Sequence, residues 1–138
     1  MSHHAELKTL KLGDVFMVNL SGTENEQRGY RPCIIFQNNI GNLYSPNIVV
    51  IPLTSVIKKM RQPTHVFIPK EAGLNKDSVA LCENPMVLSK NKLGRYVTTL
   101  PDKYIGEIAV GNLLASSAIS YINQGVLIST WKRSFAFN

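Results

Sequence analysis

The chain has 138 residues, room for one domain with one core, and its 44% hydrophobic against 17% charged residues exclude the composition of a disordered chain. Fifteen Lys and Arg against nine Asp and Glu leave a net charge of +6, which favours encounter with polyanions, whether nucleic acid or an acidic protein partner. No apolar stretch approaches membrane-spanning length, and the start Met1-Ser2-His3-His4-Ala5-Glu6 lacks a signal-peptide pattern, so no membrane partner and a cytoplasmic location are expected.

From Asp14 to about Leu20 the apolar run Val15-Phe16-Met17-Val18 reads as a strand. Ser21 to Tyr30, with two glycines among charged and amide residues, reads as an exposed loop. Arg31 to Phe36 is a short buried strand with Pro32 at its beginning or edge, since proline donates no ladder hydrogen bond. Asn38 to Asn42 is a turn cluster, because Asn and Gly tolerate left-handed backbone. Ile48 to Thr54, Thr64 to Ile68, a longer strand from Ser78 to Leu88 bent at Pro85, and Arg95 to Leu100 follow as strands. A helix is expected from Pro101, with Asp102 at its positive end and Ile105, Ile108, Ala109 and Leu113 recurring along one face. This order predicts a mainly β fold, an antiparallel curved sheet or barrel with a C-terminal helix. Cys33 and Cys82 lack the spacing of a redox or zinc pair and read as buried small hydrophobes.

No phosphate-binding glycine loop, metal-ligand spacing or Gly-x-Ser-x-Gly elbow occurs, so neither metal nor nucleotide cofactor is expected. His65 sits in an alternating strand and reads as a partly buried structural histidine, although an ordinary pKa of about 6.5 would suit proton transfer. Arg31 is set apart by its neighbours. Pro32 biases it to extended backbone and Gly29 frees the chain behind it, so a guanidinium able to hold two phosphate oxygens stands at a loop-to-strand junction. Alone, the same residue reads equally as a strand cap or a partner of Glu26.

Read together, Gly13-Asp14-Val15-Phe16, Glu26-Gln27-Arg28-Gly29-Tyr30-Arg31-Pro32 and Gln37-Asn38-Asn39-Ile40-Gly41-Asn42 carry a resemblance. With Pro52-Leu53-Thr54, Pro63-Thr64-His65-Val66, Gly73-Leu74-Asn75-Lys76-Asp77-Ser78-Val79 and Thr98-Thr99-Leu100 in order, the chain resembles the MazF/PemK family of toxin–antitoxin ribonucleases from Gly13 to about Ile122. The resemblance implies an extension at 1–12, a ribonuclease domain at 13–122 with a PemK-like, SH3-like barrel, and a tail at 123–138. It further implies a homodimer that cuts single-stranded RNA at short sequences without metal. Attack of the ribose 2′-hydroxyl leaves a 2′,3′-cyclic phosphate and a 5′-hydroxyl. An acidic antitoxin holds the enzyme in check and, with it, binds DNA. The alternatives are a CcdB-like gyrase poison that is not an enzyme, and an inactive interaction module.

By this resemblance Arg31 and Thr54 fall on the catalytic arginine and threonine. Glu83 falls where an acid has been assigned as base in some members, against the plainer reading of a strand carboxylate paired with a lysine, and Glu26 is a second candidate. A guanidinium with pKa above about 12 gives up its proton reluctantly, so Arg31 is expected to stabilise the phosphorane by charge. Asn25, Glu26, Gln27, Lys58, Lys59, Arg61 and His65 are expected along the RNA, and Asn38, Asn42 and Asn84 are candidates to read base edges. Asn84 replaces the family's common Gln, and Glu24-Asn25-Glu26-Gln27-Arg28 departs from its Gly-Ser-Glu-Gln-Gly, which points to an altered recognition sequence.

Overall fold

The computed structural model of the chain describes residues 9–20, 29–56 and 62–136, the last three by backbone alone. Its strands are β1 (Asp14–Asn19), β2 (Tyr30–Ile35), β3 (Asn47–Thr54), β4 (His65–Ile68), β5 (Ser78–Leu81), β6 (Met86–Ser89) and β7 (Leu93–Thr99). The α-helices among the described residues are α1 (Asn39–Tyr44), α2 (Asp102–Ala115) and α3 (Gln124–Ala136).

All strand pairs are antiparallel, in the order β4-β5-β3-β2-β1-β7, with β6 branching from β3. The mainly antiparallel sheet with a C-terminal helix is as expected. The pairing path ends on β4 and β7 and does not close into a barrel among the described residues. The cause lies in β3, which gives one edge to β2 and divides the other between β6, from Asn47 to Val50, and β5, at Leu53 and Thr54. Proline placement follows the gaps. Pro52 falls between those two partners, and Pro32 pairs with Met17 just before the β2–β3 ladder begins at Cys33, so each missing N–H sits where one side of the strand is open.

Central strands β1 to β3 are buried on both faces. Phe16, Val18, Cys33, Ile35 and Val50 join one apolar cluster, while the alternating Val15, Ile34, Ile51 and Leu53 join the other. Helix α2 covers the second face with the fully buried Ile108, worth about 2–3 kcal/mol of apolar burial. Gly111 lets the helix approach, since a Cβ there would stand 3.0 Å from Cys82 Sγ. Both cysteines are free and buried, and burial pushes each thiol up to about 12.

Three expectations change. The single strand from Ser78 to Leu88 is two strands joined by a turn, in which Asn84 N donates to Leu81 O at 3.0 Å, because β5 and β6 lie on different stretches of β3. The turn cluster at Asn38–Asn42 is largely the helix α1, capped by Asn38 Oδ1, which accepts from Gly41 N at 2.9 Å. The tail carries α3, whose start Asn123 caps in the same way by accepting from Val126 N at 2.9 Å.

Candidate functional site

Arg31 lies on β2 opposite Val18 of β1. The β2–β3 register runs Ile35↔Val50, Ile34↔Ile51, Cys33↔Pro52 and ends there, two residues short of Arg31 on β2 and of Thr54 at the end of β3. Cross-strand partners share a face, so Arg31 extends the row of Cys33 and Val18 at the end of that apolar cluster. The charge of Arg31 acts on the Cys33 thiol, lowering its pKa against the larger upward effect of burial, as residues two apart on one face should. Arg31 and Thr54 are each half-buried.

Local chemistry orients the pair. Leu20 N donates to Gly29 O at 2.9 Å, so both ends of segment 21–28 are tied together beside Arg31. Gly29 has φ +77 with open space around it, a backbone state that glycine adopts without cost. Thr54 Oγ1 accepts from Val56 N at 3.1 Å, which fixes the oxygen and leaves the hydroxyl proton without an acceptor among the described residues. A guanidinium and an O–H donor on neighbouring strands form a site suited to an oxyanion. On the opposite face of β2 a cleft of about 260 Å³ opens, and its rim reaches Arg31.

The remaining sequence candidates separate. His65 and Glu83 meet each other, Nε2 to Oε2 at 2.7 Å, at the far end of the β4–β5 pair. Glu83 lies beyond the end of β5, in the turn that leads to β6. Its partner is a histidine instead of a lysine. His65 is largely buried and lines a groove of about 790 Å³ between the edge strand β4 and α2; its Nδ1 is buried without a hydrogen-bond partner among the described residues.

Asn38 and Asn42 both make structural hydrogen bonds at α1. Asn38 caps α1, and the buried Asn42 donates through Nδ2 to Gln37 O at 2.9 Å and Asn39 Oδ1 at 3.1 Å, while its backbone carbonyl accepts from Lys90 Nζ at 2.6 Å. Asn84 is half-buried in the β5–β6 turn. Asn25, Glu26, Gln27, Lys58, Lys59 and Arg61 lie outside the described residues. Among the described residues no group of three His, Cys, Asp or Glu is placed to hold a metal ion, and no helix is long and apolar enough to cross a membrane. Sequence reasoning passed over Tyr30, Ser55, Asn75 and Lys76 at the cleft; the break at Gly73 before Asn75-Lys76-Asp77 was the available signal.

The chain matches the family model of PemK-like, MazF-like toxins of type II toxin–antitoxin systems over residues 11–111. Endoribonuclease MazF of Staphylococcus saprophyticus is 44% identical over 101 residues, 72% of this chain and 84% of that protein. MazF from Deinococcus radiodurans shares the fold with a TM-score of 0.70 at 18% identity, over 80% of this chain and 98% of that one. An endoribonuclease from a mycobacterial species, solved in complex with its cognate antitoxin, does so with a TM-score of 0.67 at 22% identity, over 78% and 95%.

Proposed function

Since the chain belongs to the PemK/MazF family of toxins of type II toxin–antitoxin systems, we propose that it is a metal-independent endoribonuclease that cuts single-stranded RNA at a short sequence. It acts as a homodimer in the cytoplasm and is neutralised by a cognate acidic antitoxin, consistent with its net charge of +6. What supports the reading is that Arg31 and Thr54 stand on the paired strands β2 and β3, both just beyond the end of their ladder.

The reaction needs no redox partner. A base removes the 2′-hydroxyl proton, the oxygen attacks the adjacent phosphorus, and the P–O5′ bond breaks as that oxygen takes up a proton. The products are a 2′,3′-cyclic phosphate and a 5′-hydroxyl. Charge grows on the non-bridging oxygens in the phosphorane, where fixed donors act most strongly, commonly by about 3–4 kcal/mol each. Arg31 supplies two donors in a rigid fork and Thr54 its O–H. For the base, proton transfer needs a reach of about 2.6–3.2 Å, directly or through one water. Glu83 is held by His65, and Glu26 is the other candidate for this role. Lys58, Lys59 and Arg61, which follow Thr54 in the chain, contact the RNA backbone in this reading, as do Asn25 and Gln27. His65 and Asn84 extend the contact surface away from the reacting phosphate.

The test is to incubate the protein with a long single-stranded RNA in EDTA and map both ends of every fragment. Discrete cuts ending in cyclic phosphate and 5′-hydroxyl, lost in Arg31→Ala, are expected. A pattern without discrete cuts, or one equal in Arg31→Ala, would refute the nuclease and leave a non-enzymatic toxin.

A further inference from the structure

We propose that the cleft behind Arg31 is a base-recognition pocket that holds one nucleobase next to the scissile phosphate and sets the cleavage sequence. This rests on the nuclease reading above and extends it to specificity.

The cleft is built in layers. Its floor is apolar, formed by Met17, Pro32, Leu53 and Val97 from four adjacent strands. Its wall is the segment Leu74–Ser78, folded over that floor and fixed in several ways. Lys70 N donates to Asp77 Oδ1 at 2.9 Å, and Ser78 Oγ donates to Lys76 O at 2.9 Å. Gly73, at φ +114, lies so close to Thr98 of β7 that a Cβ would stand 2.3 Å from Thr98 Oγ1. The pocket therefore exists before any ligand arrives.

Polar groups ring this apolar floor and are uncommitted. The side chains of Tyr30, Ser55, Asn75 and Lys76 make no hydrogen bond or ion pair among the described residues. An apolar slot with an amide and a hydroxyl at its edge suits a flat heterocycle with donors and acceptors on its rim. Tyr30, 68% exposed at the mouth, offers a ring for stacking, and the free ammonium of Lys76 offers charge to a flanking phosphate. Because Arg31 borders the same cleft, a base lodged there is directly connected to the phosphate the guanidinium holds. Asn75 is then the residue that reads the base edge, Tyr30 the platform, and Lys76 the backbone contact.

The experiment is cleavage of a pool of single-stranded RNA randomised around the mapped cut, sequenced to give relative kcat/KM for every base at every position. Asn75→Ala should flatten the preference at one position flanking the cut by about tenfold or more while the other positions keep theirs. Tyr30→Ala should weaken binding of a non-cleavable RNA, 2′-deoxy at the cut, by about fivefold or more. Lys76→Ala should reduce the salt slope of that binding by about 0.7 without altering base preference. Among the described residues all three side chains lack hydrogen bonds and ion pairs, so thermal unfolding should match the parent chain. Base preference unchanged at every position in Asn75→Ala, with RNA binding unchanged in Tyr30→Ala, would overturn the pocket while leaving the nuclease intact. Absence of discrete cleavage by the unsubstituted chain would instead overturn the underlying reading.

Discussion

Replacing Gly73 by alanine probes how the wall of the cleft is held. The residue has φ +114, a region that costs a side-chain-bearing residue about 1–3 kcal/mol. The new Cβ would also stand 2.3 Å from Thr98 Oγ1 and 2.8 Å from Thr98 Cβ. Rotation about χ1 can move the hydroxyl, but not the Cβ, which the β7 backbone carries. Either β7 or the wall must shift, an overpacking cost of about 1–3 kcal/mol. The sum, about 2–6 kcal/mol, should lower Tm by roughly 10–20 °C for a chain of this size. Urea unfolding of Gly73→Ala, Thr98→Ala and the double variant forms a cycle. Thr98→Ala removes Oγ1 and Cγ2 but keeps Cβ, so the double variant should recover about 1 kcal/mol and no more. The displaced wall should change the cleavage sequence more than the rate at an optimal site. A Gly73→Ala protein within about 0.5 kcal/mol of the parent, cutting the same sequence, would refute the reasoning.

Thr54→Ala removes one donor to the phosphorane and should slow single-turnover cleavage by about 10²–10³-fold while RNA binding changes little; a loss confined to binding would remove Thr54 from the chemistry. The two carboxylates separate in parallel single-turnover assays: Glu26→Gln should slow cleavage at least about tenfold at saturating RNA and Glu83→Gln should not, and the reverse result would return the base role to Glu83. Burial pushes Cys33 and Cys82 up to about 12 from the ordinary 9.0, so the folded state keeps protons that the unfolded state loses. Stability should then be undiminished below about pH 9 and fall above it, by up to about 1.4 kcal/mol per pH unit for each thiol. Iodoacetamide at pH 8 should leave both thiols unmodified in the folded protein and alkylate both in urea; native alkylation would contradict their burial.

Much of the framework was legible from local pattern. Alternation and short apolar runs placed β1, β2, β3, β4 and β7 within a residue or two, and Pro101 with Asp102 marked the start of α2. The single strand from Ser78 to Leu88 failed because Pro85 was read as a bend. What separates β5 from β6 is their attachment to different stretches of β3, a long-range matter. The helix α3 went unread because its aromatic residues drew attention away from Asn123, whose cap starts it.

For the site, residue order alone selected Arg31 and Thr54 as chemical types in the right kind of segment. That they stand on neighbouring strands depends on the β2–β3 pairing, a long-range matter that leaves no trace in local periodicity. The same limit applies to asparagine. Asn38, Asn42 and Asn75 look alike in sequence, and only the folded surroundings decide that the first two bond within and around α1 while the third stands at the rim of a cleft. Side-chain type is a property of the chain; whether its hydrogen-bonding capacity is already spent is a property of its neighbours in space.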